Sequence, residues 1–125
     1  MYIKKEIGNI GEEIAVKYLQ QEEYIIINRN FKCKQGEIDI IAKDLKKGEL
    51  VFIEVKTRRN YNYGNPSEAV DERKQKHIYR SAEYYVYKYN IKNIPIRFDV
   101  IEVKLSNEKW RIEHIKKAFI KKAKI

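Results

Sequence analysis

Glu37-Ile38-Asp39-Ile40-Ile41-Ala42 and Leu50-Val51-Phe52-Ile53-Glu54-Val55-Lys56 are joined by Asp44-Leu45-Lys46-Lys47-Gly48-Glu49. Both outer segments are rich in β-branched residues, and the joining stretch carries the Asp and Gly that tight turns use. The pair therefore reads as a β-hairpin. Pairing Asp44 with Glu49 around a four-residue loop sets Asp39 opposite Glu54 and Glu37 opposite Lys56. Opposed residues share a face, with Cβ atoms roughly 4.5–5.5 Å apart, and side chains alternate along each strand. Two carboxylates and an amine then converge on one patch. The competing picture is a solvated face on which Glu37 simply bridges Lys56, and a slip of one residue would undo the convergence.

Working outward, residues 7–22 read as a helix, with Ile7, Ile10, Ile14, Tyr18 and Leu19 on one apolar stripe. Glu12 falls at the edge of that stripe and Glu13 on the wet side. Glu12 either reaches what the helix packs on or bonds back to a main-chain N–H as a helix cap. Tyr24 to Phe31 reads as a strand. After Lys56 the chain becomes a basic, aromatic loop, Thr57-Arg58-Arg59-Asn60-Tyr61-Asn62-Tyr63-Gly64. Asn65-Pro66-Ser67-Glu68 reads as a helix start capped by Asn65, with the helix running to Tyr89 and burying Val70, Ile78, Ala82, Tyr85 and Tyr89. Pro95 to Val103 and Trp110 to Ile115 read as strands, and Lys116 to Ile125 as a basic tail. The expected fold is α/β, a mixed sheet flanked by helices in the order α-β-β-β-α-β-β. One domain is expected over residues 1–115, followed by the tail at 116–125.

The chain has 125 residues, enough for one core, and 27 Lys and Arg against 18 Asp and Glu give a net charge of +9. Such an excess suits a polyanion, although a charge serving solubility alone is the plain alternative. The single cysteine, Cys33, excludes an internal disulfide and a cysteine-based zinc cage. No apolar run suggests a signal peptide or approaches the roughly 20 residues of a membrane span. A cytoplasmic protein without membrane contact is expected.

Two carboxylates as close as Asp39 and Glu54 resist joint ionisation unless a cation lies between them. Mg²⁺ suits the pair, since it takes a few carboxylate oxygens and completes its shell with water and substrate phosphate. A lysine beside it can orient the water or offset charge on the phosphorane.

Gly36-Glu37-Ile38-Asp39 followed by Phe52-Ile53-Glu54-Val55-Lys56 resembles the D…ExK core of PD-(D/E)XK, restriction-endonuclease-like nucleases. More closely, the chain is similar to the YraN family of small predicted endonucleases. That resemblance runs through Gly8, Gly11-Glu12, Ala15 and Asn30 to the two core segments. It continues through Gly64, Pro66, Glu68-Ala69-Val70, Lys74 and Arg97-Phe98-Asp99-Val100. It implies a restriction-endonuclease-like fold in which Asp39, Glu54 and the Val55 carbonyl hold Mg²⁺, with Mn²⁺ a substitute. It also implies that Lys56 is the catalytic lysine and that Glu12 supports the metal. Ile38 stands where the family's literal proline would precede Asp39, and Lys32 stands in place of an arginine.

Lys74 shares the core side of the second helix with Val70, Ile78 and Ser81, which suits either a lysine facing the site or a snorkelling stem. Arg58, Arg59, Tyr61 and Tyr63 leave the strand end that carries Lys56; with Lys74 they are the candidate nucleic-acid contacts, set against a merely solvated loop. Arg97 and Asp99 read as a structural ion pair, and His77 and His114 as surface or packing residues. The expected activity is metal-dependent hydrolysis of phosphodiesters in nucleic acid, DNA first, branched and single-stranded forms included. The alternative is a catalytically silent nucleic-acid-binding module of the same fold. A homodimer stays open.

Overall fold

The hairpin forms in the expected register, from Asp44 opposite Glu49 to Ile40 opposite Ile53. Its turn is locally encoded. Oδ1 of Asp44 accepts the N–H of Lys46 at 3.0 Å and of Lys47 at 3.2 Å. Gly48 supplies the left-handed φ of 68° that closes the loop. The computed structural model describes residues 4–59 and 70–119. In chain order the elements are α1 (Lys4–Gln21), β1 (Tyr24–Cys33), β2 (Gly36–Asp44), β3 (Glu49–Arg58), α2 (Glu72–Lys88), β4 (Ile96–Ser106) and β5 (Lys109–Ile115). This is the anticipated order of a mixed α/β fold.

The five strands form one sheet in the order β1-β2-β3-β4-β5. All neighbours are antiparallel except β3 and β4, which are parallel and joined through α2. Each helix covers one face. Ala15, Val16 and Leu19 of α1 pack with Ile40, Ala42, Val51, Ile53, Ile101 and Val103. Ile78, Tyr79, Ala82 and Tyr85 of α2 pack with Ile38, Ile41, Phe52, Phe98 and Val100. No described helix is long and apolar enough to cross a membrane.

Several boundaries differ from expectation. Helix α1 begins by Lys4 rather than at residue 7, so Glu12 lies mid-helix and is not a cap. Helix α2 is capped by Asp71, whose extended backbone (φ −74°, ψ 174°) stops the helix from reaching back further. The expected cap, Asn65, lies outside the described residues. Tyr89 is not buried: it is the C-cap and 50% exposed, because Asn90 turns to φ 52° and ends the helix there. Beyond β5, in the stretch expected to be tail, the chain returns to the sheet. Ala118 donates its N–H to the Phe98 carbonyl at 2.9 Å, and Phe119 packs in the α2-side core.

Candidate functional site

The site lies where β2 and β3 separate. Ile38 and Ile41 pack on the α2 side and Ile40 and Ala42 on the α1 side, so the side-chain alternation of β2 slips by one at Asp39. The paired ladder stops at Ile40–Ile53. One step further, Oδ2 of Asp39 accepts the Val55 N–H at 2.8 Å, replacing a strand carbonyl. Because the N–H and C=O of one strand residue point to the same side, the Val55 carbonyl faces this gap too.

Glu54 is 5% exposed, and two ammonium groups approach its Oε2: Lys56 Nζ at 3.6 Å and Lys74 Nζ at 3.5 Å. Lys56 reaches it as the next same-face residue of β3. Lys74 reaches it from the opposite element, because Asp71 accepts the Lys74 N–H at 2.8 Å and fixes the first turn of α2. Lys74 Nζ thus lies beside Glu54, with its side chain 42% exposed.

Burial and then the charge of Glu54 push the Asp39 carboxyl up to about 8, against the hydrogen bond from Val55. A hydrogen bond shared with Glu54 and the charge of Glu12 push the same way. Asp39 thus keeps its proton near neutral pH beside the charge of Glu54 when nothing else balances the pair. This is the electrostatic condition that a divalent cation relieves, so the donor set of two carboxylates and a main-chain carbonyl fits a hard ion. Among the described residues there is no cluster of three or more His, Cys, Asp or Glu side chains able to hold a metal. A site here therefore depends on the Val55 carbonyl and on water.

Glu12 and Asp39 line one cleft of about 600 Å³ on the α1 side, with Asn30, Val55, Thr57 and Arg58. Helix α1 comes this close because Gly11 has no side chain: a Cβ there would lie 2.0 Å from Thr57 Oγ1. Oε1 of Glu12 accepts from Asn30 Nδ2 at 3.0 Å and from Arg29 Nη2 at 3.3 Å. Asn30 points there from a left-handed φ of 52° within β1, a conformation asparagine tolerates. Glu12 is thus oriented at the cleft by β1.

The predicted pairing of Glu37 with Lys56 does not occur. Glu37 lies beyond the β2–β3 ladder, pairs with Lys32 of β1 and stays exposed at the cleft. Arg58 donates from Nε to Glu102 at 3.2 Å, and Arg59 borders the cleft. Tyr61 and Tyr63 lie outside the described residues. Arg97 and Asp99 do pair, at 2.9 Å, at the opposite end of the sheet. His114 is more than packing: it accepts or donates between Tyr18 and Asp99 at 2.9 and 2.7 Å. Thr57 as the seat of α1 had no sequence signal, since nothing local in it marks the contact with Gly11. Asn30 entered only through the family resemblance.

Residues 11–103 match the model of an uncharacterised protein family, UPF0102. The chain is similar to a UPF0102 protein of Clostridium botulinum strain 657, 54% identical over 121 residues, which span 94% of this chain and 97% of that one. It is likewise similar to one of Caldicellulosiruptor saccharolyticus, 51% identical over 118 residues, 93% and 98% of the two chains.

Proposed function

This chain belongs to the uncharacterised protein family UPF0102, and we propose that it is a metal-dependent endonuclease hydrolysing phosphodiesters of nucleic acid, DNA first. In this reading it is a YraN-type member of the PD-(D/E)XK superfamily with a restriction-endonuclease-like fold. The observation that carries the proposal is the meeting of Asp39, Glu54, Lys56 and Lys74 where the β2–β3 ladder opens. A salt-bridged hairpin face would expose its charges. Here Glu54 is 5% exposed and Asp39, half-buried, is held protonated near neutral pH by burial and the charge of Glu54, and Asp39 lines a cleft of about 600 Å³.

Asp39, Glu54 and the Val55 carbonyl would hold Mg²⁺ or Mn²⁺, which when bound polarises the phosphodiester and acidifies a water. The Val55 N–H fixes the rotamer of Asp39. Lys56, tethered by Glu54 yet 32% exposed, orients the attacking water and offsets charge as the phosphorane forms. Lys74 balances Glu54 from α2 and presents its remaining donors to phosphate. Glu12, oriented by Asn30, supports Asp39 across the cleft and contributes negative charge toward the cation.

Wild-type protein with Mg²⁺ or Mn²⁺ is expected to cut at least one of a panel of single-stranded, duplex and branched DNA and RNA. Asp39→Ala or Lys56→Ala should abolish cleavage, a loss of at least about a hundredfold. If the wild type cuts nothing on that panel with either metal, the proposal fails. One observation favours a second reading, a silent binding module: the two ammonium groups beside Glu54 compensate its charge. That module would bind nucleic acid equally with chelator present and after Asp39→Ala.

A further inference from the structure

The strand registers place three cations side by side at the open end of the sheet. Arg58 of β3 stands beside Lys104 of β4, and Lys104 beside Arg111 of β5. All three share the α2-side face. Val103 and Ile112, their immediate neighbours in sequence, pack on the α1 side, and Arg58 reaches Glu102, two residues before Lys104. One rung further in, Lys56 stands beside Glu102, and Glu102 beside Glu113. The row of cations thus begins next to the lysine of the candidate site and runs across three strands, roughly 10 Å at normal strand spacing.

We propose that Arg58, Lys104 and Arg111 form a track that carries the sugar–phosphate backbone of a nucleic-acid strand away from the site at Lys56. This rests on the nuclease reading for its direction, but not for the binding itself. Glu102 is the second observation behind it. Its side chain is fully buried, and cations lie against both oxygens: Arg58 Nε at 3.2 Å from Oε2, and Lys104 Nζ at 3.1 Å from Oε1 without hydrogen-bonding geometry. A desolvated carboxylate persists when such cations compensate it. In return it fixes two flexible stems, lowering the entropy lost when they engage phosphate. Arg58 is 26% and Lys104 36% exposed, Lys104 Nζ also lies 3.9 Å from Glu113 Oε1, and Arg111 is exposed on the edge strand. Lys56, Arg58, Lys104 and Arg111 against Glu102 and Glu113 leave the patch positive. Contacts of this kind read backbone and not bases, so the track is indifferent to sequence.

The test is binding of a labelled single-stranded oligonucleotide in chelator, where no turnover occurs, across a range of salt concentrations. Lys104→Ala and Arg111→Ala should each reduce the salt slope by about 0.7 and weaken unrelated sequences by the same factor. Lys47→Ala, in the turn at the far end of the hairpin, should change neither. Far-UV circular dichroism checks that each variant is folded. Equal weakening by Lys47→Ala, or no wild-type binding at low salt, overturns the track. If wild type cleaves while the row variants bind normally, the track fails and the nuclease reading stands. Row-dependent binding without any cleavage leaves the track standing and removes the nuclease.

Discussion

Asp39 takes a main-chain N–H on one oxygen while Glu54 and Glu12 surround it with negative charge. With its carboxyl raised from 3.8 to about 8, the folded protein keeps a proton that the unfolded chain has lost across that interval. The site therefore subtracts stability progressively as pH rises from about 4 to about 8. Asp39→Asn keeps an acceptor for Val55 and removes the repulsion. It should raise the metal-free melting temperature by a few degrees at pH 8 and by less at pH 5. Mg²⁺ should stabilise wild type and not the Asn variant. Calorimetry at the two pH values checks both, and an Asn variant less stable than wild type at pH 8 would contradict the repulsion. The sequence exposed this pair because hairpin register follows from a local turn. It could not show the slipped alternation at Asp39 that turns Glu37 away from Lys56, since that depends on which helix each isoleucine packs against.

Helix α1 sits against β3 through Gly11 and Thr57, a contact of two elements far apart in the chain. Gly11→Ala forces the helix or the strand to shift and should cost about 1–3 kcal/mol, as overpacking does. Removing the obstacle tests the cause: Gly11→Ala with Thr57→Gly should be more stable than the sum of the two single losses allows. Urea titrations of the four proteins measure it, and strict additivity would place the cost elsewhere. Because the same contact sets Glu12 at the cleft, Gly11→Ala should also lower any cleavage activity. The expected cap at Asn65 lies outside the described residues, and the described helix is capped by Asp71, where its first turn places Lys74 on Glu54.

At the pole of the sheet away from the site, one buried arginine ties the molecule together. Arg97 of β4 bonds Asp44 of β2, Glu49 of β3 and Asp99 at 2.8–2.9 Å, and Tyr24 of β1 at 2.6 Å. Asp99 continues through His114 of β5 to Tyr18 of α1. Burial pushes Asp99 up, but the hydrogen bonds from His114 and Arg97 prevail and hold it below the usual carboxylate range; Asp44 is lowered likewise, chiefly by Arg97. Their contribution is complete above the ordinary carboxylate value and is lost as pH falls below about 4. Arg97→Ala leaves several carboxylates without their cation and should cost about 3–5 kcal/mol, a large part of a small domain's stability. Urea midpoints at pH 7 and pH 3 measure this, with the penalty smaller at pH 3; an unchanged midpoint at pH 7 would refute the role. The sequence by itself determined what neighbours along the chain encode: the hairpin and its register from Asp44–Glu49 to Ile40–Ile53, the element order and the Arg97–Asp99 pair, whereas Asp39 lies beyond that ladder and bonds Val55 instead of standing opposite Glu54. Only the tertiary structure decided that Lys74 meets Glu54, that Asn30 holds Glu12 and that Arg58, Lys104 and Arg111 stand in one row. Those meetings follow from sheet order, the parallel β3–β4 pairing and the faces the helices cover, which are fixed by burial of distant apolar residues and not by local periodicity.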